Sequence, residues 1–222
     1  MKGVAIIPAR GGSKGVERKN MQVVGGETLI ARCVKTAMRA NSIATVICTT
    51  DDPEIAVEAS LHGAKTLMRP RQLATDTASS EAVITHALCE LVRTYDMFSV
   101  VAFLQCTSPL LCPSDIDACC DAVLHCEYDS AFCYVPFHGY VWDVADRLGY
   151  PPRSRRQAEP HRGLETGSCY AFRPDNFLEE GTRFCGRVKM VKQRWPIHIE
   201  IDTPEDLEYA RAIIEGKRYA PL

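Results

Sequence analysis

The chain has 222 residues, of which 46% are hydrophobic, and carries a formal net charge of −2. That length suits one domain with a sizeable core, and the apolar share excludes a disordered chain. There is no basic excess for nucleic acid, no acidic tail, and no apolar stretch as long as a membrane span.

Eleven cysteines are an odd number, no C-x-x-C pair occurs, and Cys48 and Cys133 sit inside apolar runs. They are expected to be reduced thiols packed as small hydrophobes. The start, MKGVAIIPAR, reads as a first strand and not as a secretory signal, so the expected compartment is the cytoplasm.

Val4 to Pro8 is a compact apolar run suited to a buried strand. Leu29, Ile30, Cys33, Val34, Ala37 and Met38 recur at helical spacing. Thr45 to Thr49 predicts a second strand. Asp52-Pro53-Glu54 supplies an N-cap, a proline at N1 and a first-turn acid for a helix ending at Gly63. Ala64 to Met68 predicts a third strand. Ser79 or Ser80 caps a longer helix that carries Val83, Ile84, Ala87, Leu88, Leu91 and Val92 on one face. Ser99 to Leu104 is a strongly apolar strand, and Ser114 is placed as the cap of the next helix. Ser130 to Val135 is a further strand. Between Pro136 and Gly167 the pattern breaks, around Trp142, Pro151, Pro152 and the basic cluster Arg153, Arg155 and Arg156. Cys169 to Phe172 restores it, Ile197 to Ile201 predicts a last strand, and Pro204 starts a last helix.

Strands alternating with helices predict an α/β fold, a mostly parallel sheet with helices on both faces. A single domain over residues 1–222 is expected, with an excursion at about 136–168 acting as a lid or a dimer arm. Ligands of such sheets bind beyond the carboxyl ends of the strands. The polar segments 9–20, 49–52, 69–80 and 105–109 all fall there.

The first of these segments, Ala9-Arg10-Gly11-Gly12-Ser13-Lys14-Gly15, continues to Arg18-Lys19-Asn20. Its glycines let backbone N–H groups approach an anion, and Ser13, Arg10, Lys14 and Lys19 add donors and charge. Together they predict a polyphosphate cradle. It is neither a Walker A loop nor a G-x-G-x-x-G loop. Glu200 and Asp202 stand two apart on a predicted strand, so both face one side and could reach one hard cation. Arg69 presents a planar fork for a pyrimidine carbonyl or a carboxylate. Gln105, Thr107 and Ser108 cluster donors at a strand end. The six histidines show no metal spacing, and His138, in the excursion, could touch an acceptor.

PARGGSKGVERKN resembles the signature of the acylneuraminate cytidylyltransferases, the CMP-sialic acid synthetases. The resemblance continues through TTDD (Thr49–Asp52), RPRQLATDTASS (Arg69–Ser80), LQCTSPL (Leu104–Leu110), RSRRQ (Arg153–Gln157), ETGSCYAF (Glu165–Phe172) and IEIDTPEDL (Ile199–Leu207). It implies a Rossmann-like nucleotidyltransferase sheet and transfer of CMP from CTP to an acidic acceptor, N-acylneuraminate or a related nonulosonic acid, with release of pyrophosphate. It implies Arg10, Lys14 and Asp202 as catalytic residues. Arg10, Gly11, Gly12, Ser13, Lys14, Lys19, Asn20, Arg69, Ser79 and Ser80 would bind the nucleotide. Gln105, Thr107, Arg156 and Gln157 would bind the acceptor, and Asp202 with Glu200 would hold Mg²⁺. A homodimer is implied, with no nucleic-acid or membrane partner.

The chain departs from the pattern at Glu17 (proline in relatives), Glu200 (aspartate) and Thr166-Gly167 (Asn-Gly), and its excursion is shorter. These departures leave open a Kdo-type sugar or a small phosphonate or carboxylate as acceptor, and a nucleotide-binding protein without turnover.

Overall fold

The computed structural model describes residues 3–92, 98–137, 139, 155, 157, 162–193 and 198–216. His138, Trp142, Arg153 and Arg156 lie outside the described residues.

The chain opens with strand β1 (Gly3–Pro8) and a small hairpin, β2 (Val23–Val24) and β3 (Glu27–Thr28), that the sequence pattern does not announce. Thr28 then caps α1 (Leu29–Met38), its side chain accepting from Ala31 N–H. Strand β4 (Ile43–Thr50) leads into α2 (Pro53–Leu61), capped as expected by Asp52, and then into β5 (Lys65–Met68). Helix α3 (Ser80–Val92) precedes β6 (Val101–Leu104). Helix α4 (Pro113–Leu124) begins one residue before the expected cap: Cys112 holds the N-cap position, because Pro113 fits N1 and leaves Ser114 inside the helix. After β7 (Ser130–Phe137) come β8 (Arg162–Phe172), α5 (Pro174–Glu180), β9 (Val188–Lys192) and α6 (Pro204–Glu215).

Among the described residues, seven strands form one sheet in the order β5-β4-β1-β6-β8-β7-β9. The β5-β4-β1-β6 half is parallel, in register Val4↔Thr45 and Val4↔Val101. β8 runs antiparallel to both β6 and β7, and β9 returns parallel to β7. The sheet is therefore mixed, with most pairings parallel.

Alternation along β1 explains the layers. Ala5 and Ile7 join Leu29, Ile30, Ile55, Ile116 and Leu207 on the face covered by α1, α2, α4 and α6. Val4 and Ile6 join Ile84, Leu88, Phe103, Phe172 and Phe177 on the face covered by α3 and α5. Both faces being covered, the central strands read as unbroken apolar runs. None of the eleven cysteines is bridged, and eight of them are buried.

Two further expectations are corrected. The expected break at 136–167 ends earlier, since β8 already begins at Arg162. Its first residues are exposed and weakly apolar, so the alternation there gives no burial signal. Residues 198–202 form no strand, although Ile199 and Ile201 are buried. A backbone bond, Ile201 N–H to the Thr107 carbonyl at 2.8 Å, ties this segment to the loop after β6. Among the described residues, no helix is long and apolar enough to cross a membrane.

Candidate active site

β1 pairs with β4 on one side and β6 on the other, so connections diverge at its carboxyl end, where ligands of α/β sheets bind. A cleft of ≈ 440 Å³ opens there. That size falls within the ~300–1,000 Å³ common for small-molecule sites.

The loop after β1 forms one rim. Asn20, 7% exposed, braces it by donating its side-chain amide to the Arg10 carbonyl at 3.0 Å. Arg10, Ser13, Lys14, Gly15, Lys19 and Asn20 line the cleft. Lys19 Nζ reaches Asp202 Oδ1 at 2.8 Å, which joins the loop to the 198–202 segment. Arg10 and Lys14 each meet Asp76 at 2.7 Å.

The opposite rim comes from the segment after β5. Arg69 is 8% exposed; its Nη1 donates weakly to the Leu73 carbonyl at 3.4 Å, and its buried Nε has no partner. Burial lowers its pKa, with Asp51 opposing. A buried guanidinium with unused donors is suited to a polar ligand. Ser80 and Val83 line the wall beside it.

The floor lies at the end of β6. Oriented by its partners, the Gln105 amide nitrogen donates to Glu200 Oε1 and to the Gly167 carbonyl, both at 3.0 Å. The buried Thr107 hydroxyl has no partner. Between Phe132↔Tyr170 and Tyr134↔Glu165 the β7–β8 register shifts, so β8 bulges. Gly167 sits in this bulge at φ 65°, where an added Cβ would lie 2.9 Å from Glu200 Oε1. The bulge thus aims the Thr166-Gly167 step at Gln105 and Glu200. Burial, and then the neighbouring Asp202, raise the pKa of Glu200, with Lys19 pulling the other way.

Of the residues expected from sequence, Arg10, Ser13, Lys14, Lys19, Asn20, Arg69, Ser80, Gln105, Thr107, Glu200 and Asp202 share this cleft. Gly11, Gly12 and Ser79 do not line it. The Gly11 N–H is held by Asp51 Oδ1 at 3.1 Å, so it braces the loop against β4. The Ser79 hydroxyl accepts from Ala82 N–H at 3.1 Å and caps α3. Ser79→Ala is accordingly expected to cost about 1 kcal/mol of stability in a urea titration, with nucleotide affinity unchanged. Arg156 lies outside the described residues, and Gln157 is exposed and away from the cleft lining. Asp76, which lines the cleft, and Asp51, which braces the loop beside it, are residues that the sequence reasoning misses. Acids within the TTDD and LATDTASS segments facing a basic loop are the available signal.

This arrangement, cations on one rim, a buried arginine on the other and two carboxylates in the same lining, makes a charged cleft at the carboxyl end of an α/β sheet. Residues 4–220 match the cytidylyltransferase family, and the chain belongs to it. It is 30% identical over 212 residues to N-acylneuraminate cytidylyltransferase A of Danio rerio, covering 91% of this chain and 48% of that protein. The chain therefore spans about half the length of that relative. It is 28% identical over 226 aligned positions to pseudaminic acid cytidylyltransferase of Campylobacter jejuni, covering 96% of each. Its fold is similar to that of CMP:2-keto-3-deoxy-manno-octonic acid synthetase complexed with CTP, with a TM-score of 0.72, 21% identity, and 97% and 99% of the two chains covered.

Proposed function

We propose that the chain transfers CMP from CTP to a hydroxyl of an acidic sugar, N-acylneuraminate or a related nonulosonic acid, and releases pyrophosphate. The observation that carries this reading is the convergence of Arg10, Lys14, Lys19, Arg69, Gln105, Glu200 and Asp202 in one cleft of a chain of this family. Relatives named for N-acylneuraminate and pseudaminic acid support the acceptor class.

In the reaction, the acceptor oxygen forms a bond to the α-phosphorus of CTP as the bond to pyrophosphate breaks. Charge builds on the phosphoryl oxygens, and positioned cations lower that barrier. Arg10, Ser13, Lys14 and Lys19 hold the triphosphate. Asn20, Arg69 and Ser80 hold the cytidine, with Arg69 reading the pyrimidine edge. Gln105 and Thr107 face the acceptor, and Arg156 pairs with its carboxylate.

Glu200 and Asp202 are hard oxygen donors that suit Mg²⁺. The mutual repulsion that helps raise the Glu200 pKa is one a divalent cation relieves. When bound, such a cation screens the phosphoryl charge. The same reading places the protein in the cytoplasm, in keeping with its unbridged cysteines, and makes it a homodimer. Sedimentation checks the dimer.

The test is pyrophosphate release from CTP and Mg²⁺ across N-acetylneuraminate, Kdn, legionaminate, pseudaminate, Kdo and small phosphonates. Strong turnover with one nine-carbon acid is expected, and ATP and GTP in place of CTP should give under about 1% of it, as a wall of Arg69 and Ser80 that reads a pyrimidine edge requires. Turnover on Kdo or a phosphonate alone would move the acceptor class. Tight CTP binding with no release on any acceptor would leave a nucleotide-binding protein.

A further inference from the structure

Arg10 Nη1 meets Asp76 Oδ1, and Lys14 Nζ meets Asp76 Oδ2, each at 2.7 Å. One carboxylate thus pairs with both cations best placed for a polyphosphate, with one oxygen for each. A phosphate group would present two oxygens to them in the same way. Asp76 lines the same cleft, on the segment between Leu73 and α3. Its own surroundings tie it down lightly: nearby, Thr75 and Thr77 share a hydroxyl contact at 3.3 Å, and the Ala78 N–H reaches the Thr75 carbonyl at 3.3 Å. The Asp76 side chain is 42% exposed, and its partners are 33% and 80% exposed. Pairs that open to water are weak and readily exchanged. The Lys14 ammonium, and then Arg10, hold the Asp76 carboxyl below the usual carboxylate range, so it stays an anion at neutral pH.

A carboxylate and a phosphate cannot both occupy this pair of cations, because the two anions would repel at contact distance. We propose that Asp76 is an internal competitor for the phosphate subsite. It keeps Arg10 and Lys14 oriented in the empty cleft, withdraws as a polyphosphate enters, and returns as pyrophosphate departs. No bond is made or broken in this step; one anion replaces another on the same two cations. Asp76 therefore weakens the hold on substrate and leaving group alike, and keeps the leaving group from lingering. The naming of that ligand as CTP rests on the function proposed above; the displacement itself requires only a polyphosphate.

The experiment is calorimetric titration of inorganic pyrophosphate and tripolyphosphate, in chelator and without metal, into the wild type, D76N and D76S. Both variants are expected to bind about fivefold tighter or more, the order expected when two exposed ion pairs no longer need to be broken. Unchanged or weaker binding by both, with circular dichroism matching the wild type, would overturn the proposal. Cytidine, titrated in parallel, should bind all three proteins within about twofold of one another. If cytidine binds none of them while pyrophosphate binding still tightens, the function reading fails and the assignment of Asp76 stands. The wild type supplies an independent arm: amide exchange across residues 74–79 should quicken when pyrophosphate binds, and slowing there would count against displacement.

Discussion

Replacing Asp202 by asparagine is expected to lower kcat/KM for CTP by about 10²–10³, the usual loss when one electrostatic element of a charged transition state is removed. The substitution keeps the side chain's size. The Asp202 N–H stays bonded to Asp206 Oδ2 at 3.1 Å, and the Thr203–Asp206 capping box that starts α6 is untouched. The ion pair lost with Lys19 is formed by a carboxylate that is 67% exposed, so stability should fall by less than about 1 kcal/mol. Activity and stability thereby separate, and pyrophosphate release beside a urea titration reads both. Glu200→Gln is expected to be milder, about tenfold, because Glu200 is half-buried and already accepts from Gln105. If D202N kept activity within threefold, Asp202 would not stand at the reacting centre. If E200Q proved the more damaging, the longer carboxylate would be the principal one.

The difference between these two acids shows what a sequence conveys about such a site. Their spacing of two is enough to put both on one side of the cleft, although the strand invoked to explain it does not form. Ile199 and Ile201 are buried and alternate with them, and burial alone fixes the orientation of an extended segment. The parallel half of the sheet is legible for a related reason. β1, β4 and β6 are short, largely apolar runs bounded by caps and turns, and each signal is local; β5 is half polar and mostly exposed, and the helix end before it marks its place. The antiparallel insertion of β8 between β6 and β7 is not legible, because strand order depends on pairing between distant segments. The outer elements β9 and α5 also escape. Val188 and Met190 of β9 are exposed and flank Lys189, so the run has no clear apolar face.

The site divides in the same way. Glycines and cations directly after a first strand announce an anion loop by composition, and the cleft gathers Arg10, Ser13, Lys14 and Lys19 as that composition requires. Composition does not say which backbone groups are already engaged. Gly11 reads as a phosphate donor, yet its N–H is held by Asp51; Ser79 reads as a nucleotide contact, yet it caps α3. Both cases have one origin: side-chain type predicts capacity for a bond, while tertiary packing decides its partner. The bulge at Gly167 is the converse case. A glycine in an otherwise strand-like run signals a bulge or a close approach, and here it brings β8 against Gln105 and Glu200.

Gly15 and Gly12 make the last distinction testable. Gly15 lies against the Asp202 main chain, and an added Cβ would run into the Asp202 carbonyl oxygen. That neighbour is backbone and cannot swing aside as a flexible side chain would, so either the loop or the 198–202 segment has to move. Gly15→Ala is expected to cost about 1–3 kcal/mol, as overpacking does. It should also lower kcat/KM by about 10² or more, since a shift near 1 Å between positioned charges has that effect. The Lys19–Asp202 pair spans the same contact, so the shift acts where the loop's lysine and that carboxylate meet. At Gly12 an added Cβ would meet nothing within 4 Å, and the residue does not line the cleft. Gly12→Ala should therefore stay within about 0.5 kcal/mol of the wild type and within a few-fold of its activity. Thermal melts and pyrophosphate release on the two variants decide between loop flexibility and close packing. Equal damage from both would mean the glycines act together through backbone freedom. Damage confined to Gly15 would mean that the loop works as a rigid part, seated on the segment that carries Asp202.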